Sequence, residues 1–317
     1  MTRFFRRSAS VAVFTMSIAI ACVRASAATA DVSAFWRATL DRLAAEPIES
    51  TEQDTHDPLP YKSYRVEYRS LGGVRVRARL ALPIRGGETQ RPLPAIVTIP
   101  GYGGTQQGLM LDECQRGYAI LQVYPRSQGP SAELWKIDAG EKLTWHLERP
   151  DGAYYQLAYA DVIRGIDYLA SRQDIDRARI AIAGTSQGGG IALAVAALDP
   201  RIRVVAAHVP FLCDMRQAAR TEGALIKKLL DDAHINDEAH LHTLDYFDPL
   251  QLVQSLRSPA LVSSGGQDRP CPAATIRAVF ERIPTVKSLF HDPDLPHTTS
   301  APFYDLMWLW LERYLRP

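Results

Sequence analysis

The stretch AIAGTSQGGG, residues 181–190, decides the fold. It begins as an apolar strand, turns at GTSQG (residues 184–188) and continues as a helix of small residues. Gly-x-Ser-x-Gly between a strand and a helix predicts a nucleophile elbow, a turn so tight that both flanking positions need glycine. The hydroxyl of Ser186 would then stand over the first turn of a helix, where a developing oxyanion is stabilised. Ser186 is therefore the candidate nucleophile.

Short apolar strands alternate with helices on both sides of this stretch. Such alternation predicts a mostly parallel sheet with helices on both faces, here an α/β-hydrolase fold with eight strands. Polar and apolar residues alternate at 64–70 and 74–82, around Gly72 and Gly73, which predicts a β-hairpin at the edge of the sheet. The other predicted strands are 95–100, 118–124, 179–185, 203–209, 260–264 and 286–290, and the predicted helices are 31–45, 105–116, 155–171, 187–198, 272–283 and 301–315.

The N-terminus has the pattern of an export signal. Three arginines at positions 3, 6 and 7 precede an uncharged apolar run over 8–23, and Ala-Ser-Ala follows at 25–27. This predicts a signal peptide over residues 1–27 and a periplasmic or secreted protein. Cys22 follows Ala-Ile-Ala, which resembles a lipoprotein processing site but lacks the usual large aliphatic residue three positions earlier, so a lipoprotein is the less favoured alternative.

The rest of the chain, 28–317, is expected to form one catalytic domain. A chain of 317 residues that is 46% apolar can bury one large core. Two segments, at about 127–152 and 211–247, are too long for simple loops and are predicted to be insertions that carry substrate or subunit contacts. Loss of the signal removes four arginines and no acidic residue, so the formal charge falls from +1 to −3. This balance argues against nucleic acid or a membrane as partner.

Three cysteines follow the signal, at positions 114, 213 and 271. Their spacing does not match a metal site, so no metal bound through cysteine is expected. An odd number permits at most one internal disulfide in an oxidising compartment. Cys213 and Cys271 both follow strands that neighbour each other in this fold. Two alternatives therefore stay open: a disulfide between them, or two buried free thiols.

A serine nucleophile needs a base, and the base needs an orienting acid. In an α/β-hydrolase the acid and then the base follow the serine in the chain. Asp268 follows the strand 260–264 through two glycines and is the candidate acid, the alternative being a turn residue. His297 is favoured over His291 as the base, because His291 ends a strand whereas His297 lies on a loop that can reach Ser186. The two prolines between these histidines argue against a joint metal site.

The second oxyanion donor is expected from the glycine-rich loop 101–104, which follows a predicted strand. The backbone N–H groups of Tyr102 and Gln187 form the candidate oxyanion hole, although the loop could also be a glycine turn with no donor role. Phe211 and Leu212 are bulky candidates for the substrate-binding wall. They would leave room for an acetyl methyl group but not for a long acyl chain.

Several stretches together resemble the acetyl xylan esterase / cephalosporin-C deacetylase family of carbohydrate esterases. The resemblance runs from about residue 64 to the C-terminus and is most specific in two stretches, the elbow with its Gln-Gly-Gly and Asp-x-x-Cys-Pro at 268–272. Arg126 and Gln128 match the family's Arg-Gly-Gln-Gly motif, with Ser127 in place of the glycine. Thr298 replaces the glutamate that follows the family's histidine. Further matching stretches are 100–102, 210–214 and 243–248.

The resemblance implies a cofactor-free serine deacetylase that acts on acetyl esters of sugars and cephalosporins and assembles as a homo-oligomer. Arg126 and Gln128 belong to a motif that supports the active-site loops. The expected partner is therefore a small-molecule ester or an acetylated oligosaccharide. Two other hypotheses are an exported peptidase or amide hydrolase of the same fold, and a non-catalytic carbohydrate-binding relative.

Overall fold

The protein is described from a computed structural model that covers residues 31–84, 91–104, 110–235 and 237–315. The predicted signal peptide, 1–27, lies outside these residues, as do positions 105–109 of the predicted helix 105–116. The described part of that helix, Leu111–Arg116, is a 3-10 helix that ends at Gly117 in the left-handed region with φ 98°. Across these ranges, no helix combines the length and the apolar character that a membrane span requires.

Nine strands form one sheet in the order β1-β2-β3-β5-β4-β6-β7-β8-β9. The first three strands and the β3–β5 pair are antiparallel, and from β5 onward all neighbours are parallel. The strands are β1 Thr51–Asp54, β2 Tyr61–Arg69, β3 Arg75–Pro83, β4 Leu93–Ile99, β5 Ala119–Tyr124, β6 Ile175–Thr185, β7 Ile202–His208, β8 Ala260–Gly265 and β9 Lys287–Asp292.

The mostly parallel sheet and its helices confirm the predicted α/β-hydrolase fold, with one strand more than the eight expected. The additional strand is β1, in a segment for which no strand was predicted. All four of its residues are exposed, so no alternation of burial marks it in the sequence. It forms because its backbone pairs with β2 in antiparallel register, which places the predicted β2–β3 hairpin one position in from the edge.

Nine α-helices lie in the described part of the chain. The stretches predicted as insertions follow β5 and β7, at the carboxyl end of the parallel strands, and contain short helical segments. The helices are α1 (31–45), α2 Tyr154–Ser171, α3 Gln187–Leu198, α4 Met215–Ala218, α5 Leu225–Asp232, α6 Glu238–Asp245, α7 Pro249–Leu252, α8 Ala273–Arg282 and α9 Ala301–Leu315.

The core has two parts, one on each face of the sheet. The larger contains apolar residues of α1, α2, α3 and α8, and in the smaller α9 packs against strand residues on the other face. The apolar stripe of α1 packs against the larger part of the core, and Trp36 is only 2% exposed. Its ring stacks on Tyr159 with centroids 5.5 Å apart, and its Nε1 donates to the carbonyl of Tyr246 over 2.7 Å. Helix α1 therefore ties α2 to the second insertion.

Candidate active site

Ser186 lies between β6 and α3 with φ 57° and ψ −122°, a backbone conformation that is strained for a residue with a side chain. The turn leaves no room at its flanks. A Cβ on Gly184 would lie 2.4 Å from the backbone of Gly188, and one on Gly188 would lie 2.2 Å from the carbonyl oxygen of Ile99. The Gly-x-Ser-x-Gly pattern thus has the steric cause that the sequence suggested.

The structure brings Ser186, His297 and Asp268 together in one hydrogen-bonded series. His297 Nε2 lies 2.9 Å from Ser186 Oγ, and His297 Nδ1 lies 2.7 Å from Asp268 Oδ2. Because the carboxylate can only accept, Nδ1 carries the proton and Nε2 is free to accept the serine proton. The other oxygen of Asp268 accepts the N–H of Cys271 over 2.8 Å, so both carboxylate oxygens are held.

Backbone contacts hold the acid and the base together. The turn after β8 donates from Gly266 N to Asp292 O over 2.8 Å and from Gln267 N to Leu295 O over 3.0 Å. A Cβ on Gly266 would lie 2.2 Å from the carbonyl oxygen of Pro293. The two glycines before Asp268 are therefore needed not only for a turn but for close packing against the loop of His297.

His291, the rejected alternative, lies in β9 and is exposed, and its Nδ1 contacts Ser264 Oγ at 2.9 Å. Ligand atoms of Asp268, Cys271 and His297 lie within 4.8 Å of one another, which is a possible metal-binding arrangement. Two of these three side chains already hydrogen-bond to each other, and the Cys271 thiol is buried with its pKa raised well above the usual value by desolvation. This donor set therefore fits an acid–base pair better than a cation site.

The two residues predicted to donate to the oxyanion, Tyr102 and Gln187, lie on two separate turns. Gln187 is the first residue of α3, where backbone N–H groups have no acceptor within the helix. The N–H of Tyr102 belongs to the peptide whose carbonyl is that of Gly101. Gly101 O accepts from Gln128 Nε2 over 3.0 Å. Because C=O and N–H point in opposite directions in a trans peptide, this bond fixes the direction of the Tyr102 N–H.

A buried chain of side-chain amides joins the two turns. Gln128 Oε1 accepts from Gln187 Nε2 over 3.0 Å, and Gln187 Oε1 accepts from the hydroxyl of Tyr155 over 3.2 Å. Gln128 Nε2 also lies 3.3 Å from Tyr102 O. The residue that the family motif singled out thus sets the spacing between the two candidate oxyanion donors. Tyr155, which no motif marked, orients the side-chain amide of Gln187 at the other end of this series.

Lys142 was also missed by the sequence analysis, because it belongs to no motif in the insertion that contains it. Its side chain is buried, its Nζ donates to Tyr102 O over 3.2 Å, and the same Nζ lies 5.3 Å from the centroid of the Tyr102 ring. Burial lowers the pKa of Lys142 to about 8. A buried ammonium is costly, so its position against the oxyanion loop indicates a role in holding that loop.

The segment 209–214 passes beside the nucleophile and contains the predicted substrate-wall residues. Phe211 N donates to Ser186 O over 2.9 Å, and the Phe211 ring meets that of Tyr102 edge-on at 5.8 Å. Both Phe211 and Leu212 are buried, and Leu212 has φ 72°. Asp248 holds the end of this segment by accepting the N–H groups of Asp214 and Met215 over 3.1 and 2.6 Å. The segment that contains the predicted wall residues is therefore hydrogen-bonded to the elbow at one end and to Asp248 at the other.

Arg126 forms a buried ion pair with Asp161, with Nη2–Oδ1 2.6 Å and Nε–Oδ2 2.9 Å. Arg126 Nη2 also donates to Leu71 O over 3.1 Å, which joins β5, α2 and the β2–β3 connection. Ser127, where the family has glycine, adopts φ 65°. Its Oγ donates to Ile137 O over 2.8 Å and accepts from Ile137 N over 2.7 Å, so two hydrogen bonds offset the strain.

The three cysteines in the described residues, Cys114, Cys213 and Cys271, are buried and free. The open question of a Cys213–Cys271 disulfide is therefore answered in favour of two thiols. Cys271 instead donates its backbone N–H to the candidate acid.

Comparisons with known proteins agree with this geometry. The family model "Acetyl xylan esterase (AXE1)" matches residues 21–314. The acetyl esterase Axe7A of Xylanibacter ruminicola is 25% identical over 306 residues, which cover 90% of this chain and 67% of Axe7A. Two solved structures superpose with a TM-score of 0.80. The acetyl xylan esterase of Paenibacillus sp. R4 is 28% identical and aligned over 90% of this chain and 95% of its own. Acetyl xylan esterase 1 of Thermoanaerobacterium sp. is 22% identical over 90% and 93% of the two chains, which shows the shared fold.

The family match confirms the family resemblance and the class of carboxylic ester hydrolase that the sequence predicted. It does not favour the peptidase hypothesis or the non-catalytic one. The chain belongs to the acetyl xylan esterase family.

Proposed function

We propose that this protein removes acetyl groups from acetylated saccharides or related small esters by way of an acyl-enzyme on Ser186. The observation that carries the proposal is the hydrogen-bonded series at the elbow, with Ser186 Oγ 2.9 Å from His297 Nε2 and His297 Nδ1 2.7 Å from Asp268. The family supports the acetyl group and a sugar as the alcohol side.

In the proposed mechanism His297 Nε2 takes the proton of Ser186 as Oγ attacks the ester carbonyl. Asp268 stabilises the imidazolium that forms. The backbone N–H groups of Tyr102 and Gln187 donate to the oxyanion of the tetrahedral intermediate. His297 then gives its proton to the departing alcohol, which leaves an acetyl-enzyme. A water molecule, deprotonated by His297, hydrolyses this ester and restores the serine.

The acyl group is expected to be short because the wall formed by Phe211 and Leu212 lies close to Ser186. The Phe211 N–H bond to Ser186 O brings that segment into direct contact with the elbow. The same segment packs tightly on α3, since a Cβ on Gly190 would lie 2.0 Å from Phe211 O. A long acyl chain would require this packed segment to move.

The test is a series of aryl esters of increasing acyl length, together with an acetylated xylo-oligosaccharide. We expect kcat/KM to be higher for acetyl than for octanoyl esters, and acetate to be released from the saccharide. Ser186→Ala should lower kcat by about a thousandfold or more at unchanged melting temperature. Retention of a tenth of the activity in that variant, or a preference for the octanoyl ester, would contradict the proposal.

For localisation we propose export to the periplasm or the medium, supported by the arginines, apolar run and Ala-Ser-Ala of residues 1–27. The mass of the protein recovered from its native compartment tests this. A mature N-terminus at Ala28 is expected, whereas a lipid-modified Cys22 would mean a lipoprotein, and an uncleaved chain in the cytoplasm would contradict export.

The family resemblance supports a homo-oligomer as the assembled state. Light scattering on the purified protein measures the particle mass directly. A particle with the mass of one chain, across a range of protein concentrations, would contradict this part of the proposal.

A further inference from the structure

His208 is the last residue of β7, the strand between the one that carries Ser186 and the one that leads to Asp268. It is 1% exposed and belongs to none of the motifs described above. Its backbone carbonyl accepts the N–H of Ser186 over 2.9 Å. Its side chain contacts Thr298, which directly follows His297. One residue therefore touches both the nucleophile's turn and the loop of the base.

The hydrogen bonds of the His208 ring determine its protonation state. Nε2 lies 3.0 Å from Thr298 O, and since a carbonyl can only accept, Nε2 carries a proton. Nδ1 lies 2.6 Å from Ser263 Oγ, whose oxygen also accepts the N–H of Val209 over 2.8 Å. The Ser263 hydroxyl can therefore donate to an unprotonated Nδ1. Every polar group in this series of hydrogen bonds, from Thr298 O to Val209 N, then has a partner, provided that the His208 ring is neutral.

The surroundings of the ring favour this neutral form. Burial, together with the proximity of His297, lowers the pKa of His208 to about 4. The ring stacks on Phe303 of α9 with centroids 4.5 Å apart and planes 18° apart. A positive charge at His208 would also oppose the imidazolium that His297 must form during the reaction. The groups that face the ring are Ser263, His297, Thr298, Phe303 and Tyr304.

We propose that His208 is a positioning residue for the reaction: its Nε2–H holds the Thr298 carbonyl and thereby keeps His297 at hydrogen-bond distance from Ser186. The main-chain bonds from the Asp268 turn secure the loop before His297, at Asp292 and Leu295. The His208 bond secures it immediately after His297. This proposal rests on the role of His297 proposed above.

Two substitutions separate positioning from packing. His208→Phe keeps an aromatic ring to stack on Phe303 but removes both hydrogen bonds. His208→Gln places an amide N–H near the position of Nε2 and can still donate to Thr298 O. His291→Phe is the matched control, because His291 also lies on a strand and contacts a serine hydroxyl through Nδ1, on β9 and away from Ser186.

We expect His208→Phe to lower kcat for an aryl acetate by roughly 10- to 100-fold with KM changed by less than about threefold. The same variant should shift the pKa on the acidic limb of its kcat/KM–pH profile, which reports the base. His208→Gln should recover most of the lost kcat, and His291→Phe should stay within about threefold of wild type. A fluorophosphonate should label His208→Phe more slowly but still to completion.

A folded His208→Phe with wild-type kcat and an unchanged pH profile would overturn the proposal. If that variant does not fold, His208→Gln and His208→Asn decide, because an asparagine amide reaches only the Nδ1 position. Equal activity of these two would then overturn it. Loss of activity in Ser186→Ala and His297→Ala together with a silent His208→Phe would leave the proposed function standing and remove only this inference.

Discussion

The two halves of the active site are held in place by different kinds of interaction. On the acid–base side, main-chain hydrogen bonds and glycine contacts join the Asp268 turn to the loop of His297. On the oxyanion side, the loop 101–104 is held by side chains from the insertion after β5, chiefly Gln128 and Lys142. The first half depends mainly on backbone packing that leaves no room for a Cβ at Gly265 or Gly266, to which the proposed His208 hydrogen bond is added. The second depends on buried polar groups that can be replaced one at a time.

The largest effect is expected on the acid–base side. His297→Ala should lower kcat by roughly a thousandfold or more, because the serine loses its base. His291→Ala is the control and should stay within about threefold of wild type, since that side chain contacts Ser264 and not Ser186. Steady-state hydrolysis of an aryl acetate measures both. If the two variants exchanged places, the base would be His291.

An intermediate effect is expected from Gln128→Leu. Without the amide, the peptide that carries the Tyr102 N–H loses its fixed direction, and kcat should fall by roughly 10- to 100-fold, less than for the full loss of an oxyanion donor. KM should change little, because the donor acts mainly in the transition state.

Gln156→Leu is the matched control for this variant. Gln156 is also a buried amide, but it bonds to Thr39 and to Gly152 N, away from the elbow. We expect both variants to lose a comparable amount of stability, but only Gln128→Leu to show a fall in kcat. Equal kcat in the two variants would show that Gln128 serves stability alone.

A smaller effect is expected from Lys142→Met, which retains the stem of the side chain but removes the donor to Tyr102 O. We expect kcat to fall by a few-fold, about 3 to 10, because Gln128 still holds the adjacent carbonyl. Lys142→Gln, which keeps a donor, is the control and should lose less. A wild-type kcat in Lys142→Met would show that Lys142 does not contribute to catalysis and that Gln128 and Gln187 alone hold the oxyanion side.

The same lysine predicts a pH dependence of stability. Its folded pKa, lowered to about 8 by burial, is below that of the unfolded chain, so the unfolded chain binds more protons between about 8 and 10.5. The free energy of unfolding of the wild type, relative to Lys142→Met, should therefore rise with pH across this window. Urea unfolding at several pH values measures this difference, and a flat difference would contradict the pKa shift.

The smallest effect is expected at Ser127. Ser127→Gly relieves the strain of φ 65° but loses both hydrogen bonds to Ile137, so the change in the free energy of unfolding should be within about 1 kcal/mol. Ser127→Ala keeps the strain and loses the same bonds, and should be destabilised by about 1–3 kcal/mol. Thermal unfolding compares the two. If Ser127→Ala were more stable than the wild type, the two hydrogen bonds to Ile137 would not offset the strain at this position.

Sequence reasoning did well where the cause of a structure is local. Helices α3 and α9 begin and end at the predicted residues, and the elbow follows from the spacing of its glycines. Reasoning failed at β1, which has no buried face. The described part of the predicted helix 105–116 is helical, but as the 3-10 helix Leu111–Arg116. Lys142, Tyr155 and His208 carry no motif. For His208, a polar residue at the end of the buried run VVAAH was the one available signal.

The sequence by itself determined the elbow, because a tight turn depends on the residues next to it. It also determined the candidate acid and base, because their order in the chain and the lengths of their loops can be counted directly. The tertiary structure alone decided what holds these groups at working distance. Gln128 meets Gly101, and His208 meets Thr298, only after the strands have aligned their carboxyl ends. The direction of a peptide plane and the tautomer of a buried ring depend on such distant partners, because a hydrogen bond requires atoms within about 3 Å of each other.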